Sequence, residues 1–275
     1  PKKRLKVGTF KVINNGFRLG ERFLKIIFDN ALKNKVDEIY VTIFDKREEQ
    51  CRLISLLEQW GFAFWGMKGE ERVYVRNFKP SLNFDNLKFI YPYIDTNRDA
   101  YLVPIRPEYH TELLPDSILN TESPEEFVED FPHRNGIVKV YISHALMPHP
   151  KHGDILIFYR TGGRYKSVIS TIGIVDEIKY NFDSEEDFVK YCRRSSIFPE
   201  NKLREMWREP HSLQLFAVKF LYIYSFPHRI NMQGLIDLHI LNGVEDAPRG
   251  FRPITIDQLK TIINETKSDD SFIIY

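Results

Sequence analysis

The sequence contains only two cysteines in 275 residues, Cys51 and Cys192. They fall in stretches that read as separate domains, so no disulfide framework is expected, and the usage fits a reducing compartment. Nowhere do about 18 apolar residues run together, which argues against a membrane-spanning helix. The basic start PKKRLK leads into a strand pattern instead of a signal-peptide core, so a cytoplasmic location is expected. An excess of one charge is also missing: 39 Lys and Arg stand against 38 Asp and Glu, a formal net charge of +1. Such a chain has no global attraction for polyanions, and any nucleic-acid contact must come from a local patch. Internal repeats, low-complexity tracts and zinc-ligand spacings are absent as well. His144, His149 and His152 lie in SHALMPHPKHGD, where two prolines prevent a regular helix and neither a cysteine nor a paired carboxylate completes a tetrahedral set, so no metal site is expected.

What is present is apolar and aromatic. An apolar content of 43%, with 14 Tyr and 21 Phe, suffices for buried cores, and the length suits two domains. At the start, LKVGTFKV reads as a strand, INNGFRLGE as a glycine-containing turn, RFLKIIFDNALKN as a helix and DEIYVTIF as a second strand. The stripe Leu24, Ile27, Phe28 and Ala31 buries one helix face, leaving Arg22, Lys25 and Lys33 in water. A turn carrying Gly16 and Gly20 uncovers backbone N–H groups, and the helix behind it adds first-turn donors and a positive dipole end. Such a site favours phosphate. DKREEQCRLISLLEQWGF continues as a helix, followed by the strands FAFWGMKG and ERVYVRNF.

In this order and spacing the first 80 residues resemble the second half of the GNAT acetyltransferase fold. The resemblance implies that acetyl-CoA lies with its pyrophosphate on the turn of Asn15, Gly16, Phe17, Arg18, Leu19 and Gly20, while backbone amides near Phe10 and Val12 polarise the thioester. Leu57 stands where the family commonly has a tyrosine acid, so no side chain is assigned to proton donation. The resemblance also implies a first half that would bind the acceptor amine. The sequence starts at Pro1, too late to include it, so the half is expected in a preceding segment, in a partner chain, or lost from a structural remnant. The first is favoured because a bare LKVGTFKV edge would invite aggregation.

After a segment rich in Asn, Pro and Asp (81–99), read as a linker that packs along the surface, the pattern becomes mainly strand: YLVPI, IVKVYIS, GDILIFYR, SVISTIGIVDEI and LQLFAVKFLYIY. Helices are read at SEEDFVKYCRR, FPENKLREMWREP and TIDQLKTIINE, and HRNG (133–136) reads as a turn. A small mixed barrel with lateral helices is expected. IRPEYHTELL resembles the opening strand-to-helix step of ASCH domains, and GDILIFYRTGG with VISTIGIVDEI resembles the central hairpin of the wider PUA-like group, which includes EVE domains. The candidate nucleic-acid contacts are Arg106, Tyr109, His110, Tyr159 and Arg160, with Arg164, Tyr165 and Lys166 at the hairpin tip. Aromatic faces stack on bases, and guanidinium groups pair with phosphates or base edges. Arginines beside Cys192 could lower its thiol pKa, against the reading of a buried structural thiol.

The expected architecture is thus a partial GNAT-like α/β domain (1–80), a linker (81–99) and a PUA-like mixed β-barrel (100–275). The expected function is N-acetylation of an amine using acetyl-CoA, with the second domain recognising substrate or nucleic acid. The alternative is a non-enzymatic nucleic-acid-binding or regulatory module with a vestigial acetyltransferase half.

Overall fold

The structure is a computed structural model that describes residues 2–8, 18–79, 85–117, 132–144, 149–210 and 213–274. It forms two compact units, Pro1–Ile94 with Asp270–Ile274, and Asp95–Asp269. Among the described residues, no helix is long and apolar enough to cross a membrane.

In the first unit, β1 (Arg4–Val7), α1 (Leu19–Lys33), β2 (Glu38–Ile43), α2 (Glu48–Gln59), β3 (Ala63–Lys68) and β4 (Glu71–Asn77) follow one another. The sheet order is β1-β2-β4-β3, with β1 parallel to β2 and the other pairs antiparallel. α1 is amphipathic because Leu24, Phe28 and Ala31, spaced three and four apart, turn inward. Lys25 is buried as well, contrary to the expectation that it stays wet, and its ammonium pairs with Asp29 at 2.7 Å one turn on. Phe28 centres an aromatic core with Trp60, Phe62, Phe78 and Tyr91, ring centroids 5.5–6.4 Å away. The short α3 (Leu87–Ile90) and β5 (Ile94–Asp95) close this unit, and Leu87, Ile90, Tyr91, Tyr93 and Ile94 are buried. β5 pairs with the two-residue strand Ile273–Ile274.

The second unit is built on β6 (Ala100–Ile105), α4 (Pro107–Leu113), α5 (Pro132–Asn135), β7 (Val138–Ser143), β8 (Ile155–Arg160), β9 (Val168–Lys179), α6 (Glu185–Cys192), α7 (Glu200–Arg208), β10 (Phe216–Ser225), α8 (Met232–Asp237), β11 (Arg252–Ile254) and α9 (Ile256–Glu265). HRNG, expected as a turn, mostly falls in the short α5. The sheet order is β11-β6-β8-β9-β10-β7. This corrects the expected barrel: the described strands form an open sheet with edges at β11 and β7. The sheet nevertheless curls, because Val103, Ile105, Leu156, Phe158, Val175, Phe216, Val218 and Phe220 share one core. Gly173 permits the tight β9–β10 approach, since a Cβ there would meet the Phe220 ring at 2.8 Å and the Leu221 carbonyl at 3.0 Å.

Candidate functional site

The open sheet leaves a seam between β6 and β7. Along β6, the N–H of Ile155 donates to Asp99 and that of Thr161 to Ile105, at 2.8 and 2.9 Å. Odd-numbered carbonyls of β6 therefore face β8, and the Pro104 carbonyl faces the opposite side. There β11 pairs only with Ala100, Tyr101 and Leu102, so it stops short of Pro104. Proline has no N–H to leave exposed at such an edge. The Tyr141 hydroxyl of β7 crosses the gap and donates to the Pro104 carbonyl at 2.7 Å. Burial pushes the Tyr141 phenol up to about 12, so it remains protonated and able to donate.

The orientation of β7 follows from two further hydrogen bonds. Tyr222 donates to the Ile137 carbonyl at 2.9 Å, which makes Ile137 and Tyr222 a hydrogen-bonded pair in the β7–β10 register. Backbone groups alternate sides along an antiparallel strand, so those of Val138, Val140 and Ile142 point away from β10. The Val140 N–H agrees, donating to Ser195 at 2.9 Å instead of to β10. Five consecutive residues, Val140 to His144, line a cleft of about 600 Å³. A strand face would contribute only every second residue, so the wall is the strand's edge.

Helices supply the remaining walls. Arg106 follows β6 in an extended conformation, and Pro107 occupies the first helical position of α4, where its fixed φ and missing N–H are tolerated. The next turn places Tyr109 in the cleft, its ring edge-on to Phe198 at 5.1 Å. α7 contributes Lys202 and Met206, and the loop before β11 contributes Arg249. The Arg106 side chain is 72% exposed and lies only 4.0 Å from Glu108. Lys202 binds Glu205 at 2.9 Å, and that hydrogen bond raises its pKa. A second cleft of about 290 Å³ contains Tyr180, Phe182 and Trp207 and shares His144, Met206 and Glu209 with the first.

Of the eight residues expected to contact nucleic acid in the second unit, Arg106 and Tyr109 line the 600 Å³ cleft and the others do not. His110 is fully buried, with Nε2 2.8 Å from the Ser170 hydroxyl. Ser170 lies at a β-bulge opposite Phe158 and Tyr159, and its hydroxyl joins a buried chain through Thr171 and Ser117 to Ser225. Burial, helped by the positive charges of Arg160 and Arg229, pushes His110 down to about 3, so it is neutral near pH 7. Tyr159 is buried in β8, and burial raises its pKa. Arg160 is half-buried at the strand end. Arg164 donates to Gln233 at 2.6 Å, while Lys166 and Tyr165 are exposed at the tip. The expectation missed Tyr141, Ile142, His144, Phe198, Lys202 and Arg249. VKVYIS reads as a strand, but only its pairing partner reveals which edge is open.

In the first unit, Phe10, Val12, Asn15, Gly16 and Phe17 lie outside the described residues. Arg18 has φ 54° before α1, and its guanidinium grips the Glu21 carboxylate at 2.6–2.8 Å. Leu19 is half-buried. Gly20 has a packing role, because a Cβ there would lie 2.6 Å from a Leu56 methyl. Cys192 is buried, and burial pushes its thiol up to about 12, opposite to the shift its neighbouring arginines suggested.

No family model matches this sequence, and no curated protein matches it. Among solved structures, a single-residue mutant of ZmASCH from Zymomonas mobilis is 11% identical, with a TM-score of 0.42, covering 61% of this chain and 96% of its own. Human THYN1, solved in complex with DNA containing 5-methylcytosine, is 12% identical, with a TM-score of 0.35, covering 62% of this chain and 99% of its own.

Proposed function

We propose that the second unit is a PUA-like binding module that takes an exposed base of a nucleic acid into the seam between β6 and β7. The observation that carries this reading is the cleft itself: an aromatic wall at Tyr109 and Phe198, cations at Arg106, Lys202 and Arg249, and a strand edge at Val140–His144. Its volume falls in the range of roughly 300–1,000 Å³ typical of small-ligand sites, enough for a nucleotide. Tyr109 stacks on the base, and the cations meet flanking phosphates. Because the chain is near neutral overall, few phosphates are neutralised and binding weakens only gently with salt.

The test is fluorescence anisotropy with short single-stranded DNA and RNA at two salt concentrations. Binding is expected to weaken by about 1–3 kcal/mol in Tyr109→Ala, the usual worth of one stacked base, and to persist in Tyr109→Phe. Absence of binding at tens of micromolar protein, or binding unaffected by Tyr109→Ala, overturns the reading.

A second reading, acetyl-CoA binding by the first unit as part of an amine acetyltransferase, is favoured by one observation. The succession β1-α1-β2-α2-β3-β4, with β1 parallel to β2, follows the order that the GNAT resemblance implies. Calorimetry with CoA tests it. Gly20→Glu would disturb packing against Leu56, so Arg18→Glu, which sets a negative charge at the turn and breaks the pair with Glu21, is used beside a thermal melt that checks folding. Equal heats from the parent and Arg18→Glu proteins would remove the turn as the pyrophosphate site.

A further inference from the structure

We infer that the seam reads its base through the main chain of β7, selecting adenine or cytosine over guanine, thymine and uracil. This rests on the seam being the base site. The register turns the carbonyl of Val140 and the N–H of Ile142 to the same side, away from β10 and into the cleft. An acceptor and a donor two residues apart on one strand edge match a ligand offering an amine beside a ring-nitrogen acceptor. Adenine presents this pair at N6 and N1, and cytosine at N4 and N3. On their Watson–Crick edges guanine, thymine and uracil present a carbonyl beside an N–H, the reverse order, and meet like groups at both positions. A mismatched polar edge loses both bonds and leaves main-chain groups unpaired, which is how a buried hydrogen-bonding site discriminates.

An extended peptide is the other occupant a free strand edge could take. The edge is too short for it. The Val140 N–H is already bonded to the Ser195 carbonyl, so the ladder is closed at that end and strand addition cannot propagate toward Val138. The flanking Arg106, Lys202 and Arg249 favour a ligand carrying phosphates.

The experiment is competition anisotropy with single-stranded oligonucleotides in which one central base is varied on a constant abasic-flanked backbone. Adenine and cytosine are expected to bind roughly tenfold or more tighter than guanine and thymine. Replacing adenine by purine, which lacks only the amine, should forfeit much of that advantage, as should N1-methyladenine. On the protein side, Ile142→Pro deletes the outward N–H at an edge position where proline is tolerated, and should level the preference while circular dichroism shows a folded chain. Equal binding of all four bases, or a preference for guanine or thymine, overturns this inference and leaves base binding standing. Failure to bind any oligonucleotide overturns both, and uptake of an extended peptide in their place assigns the edge to strand addition.

Discussion

The two units treat the same two problems, an open strand edge and a buried polar side chain, in opposite ways. In the first unit the edge strand β3 faces solvent, with Trp65 74% exposed and Phe64 and Met67 over half exposed. Its ladder is interrupted by a bulge between Phe64 and Gly66, a device that discourages another strand from adding. In the second unit the edge of β7 lines a cleft with helical walls, and its Val140 N–H bonds to the Ser195 carbonyl instead of to another strand. The buried polar groups differ too. Arg76 of β4 lies among rings, 4.3 Å from the Phe28 centroid, and donates to the carbonyls of Phe89 and Tyr91. Burial pushes its pKa down to about 9, still ionised at neutral pH. His110 is instead buried neutral against hydroxyls. One unit uses its polar group to tie its own chain together, and the other builds a polar interior beside a cleft.

The sharpest way to break this comparison is Arg76→Ala. It orphans two carbonyls and opens a cavity among the rings of Phe28 and Phe78, at a cost of roughly 3–5 kcal/mol. Hydrogen exchange should show the loss in the helices and strands of the first unit, and a stability change under 1 kcal/mol would contradict the tying role.

Acid separates the units next. All eight histidines lie between residues 110 and 239, none in the first unit. His110 has a folded pKa near 3 against 6.5 unfolded, so the unfolded chain binds the proton first. The stability contributed is complete above pH 6.5 and is lost progressively as pH falls toward 3. At pH 5 the loss from His110 alone is about 2 kcal/mol. His133, pushed down to about 4 chiefly by burial and also by Lys139, adds in the same direction against the opposing Glu112. Denaturant melts from pH 7 to 5 should show the second unit weakening, with His110→Gln reducing the slope. An unchanged slope in that variant would place the acid sensitivity elsewhere.

The smallest expected effect concerns the seam. Tyr141→Phe removes the hydroxyl that spans it to Pro104, a net loss of about 0.5–1.5 kcal/mol in stability. Thermal melts check this, and base affinity should change along with them because the two walls are no longer tied.

The periodic parts of this fold were legible in the chain. Of the expected α1 stripe, Leu24, Phe28 and Ala31 are buried and Ile27 is half-buried, and the strands β1–β4 and β6–β10 overlap the stretches read as strands. The expected residues coincide with the candidate cleft only at Arg106 and Tyr109, where a strand meets a Pro-initiated helix. His110 was misread because a polar residue on a helix looks solvent-facing until the Ser170 bulge supplies a buried partner from 60 residues away. Gly20 suggested a phosphate turn, but its need for space against Leu56 depends on a contact distant in sequence. The open edge of β7 was invisible for the same reason, since pairing with β10 on one side, with no strand on the other among the described residues, is a property of the assembled sheet.

The most direct test of the seam as the binding site is residue-resolved amide hydrogen exchange with and without a single-stranded oligonucleotide. Protection is expected at Val140–His144 and in α4 around Tyr109, with the exposed tip at Arg164–Lys166 unchanged. Protection confined to that tip or to the first unit, with Ile142 exchanging at its free rate, would contradict the account.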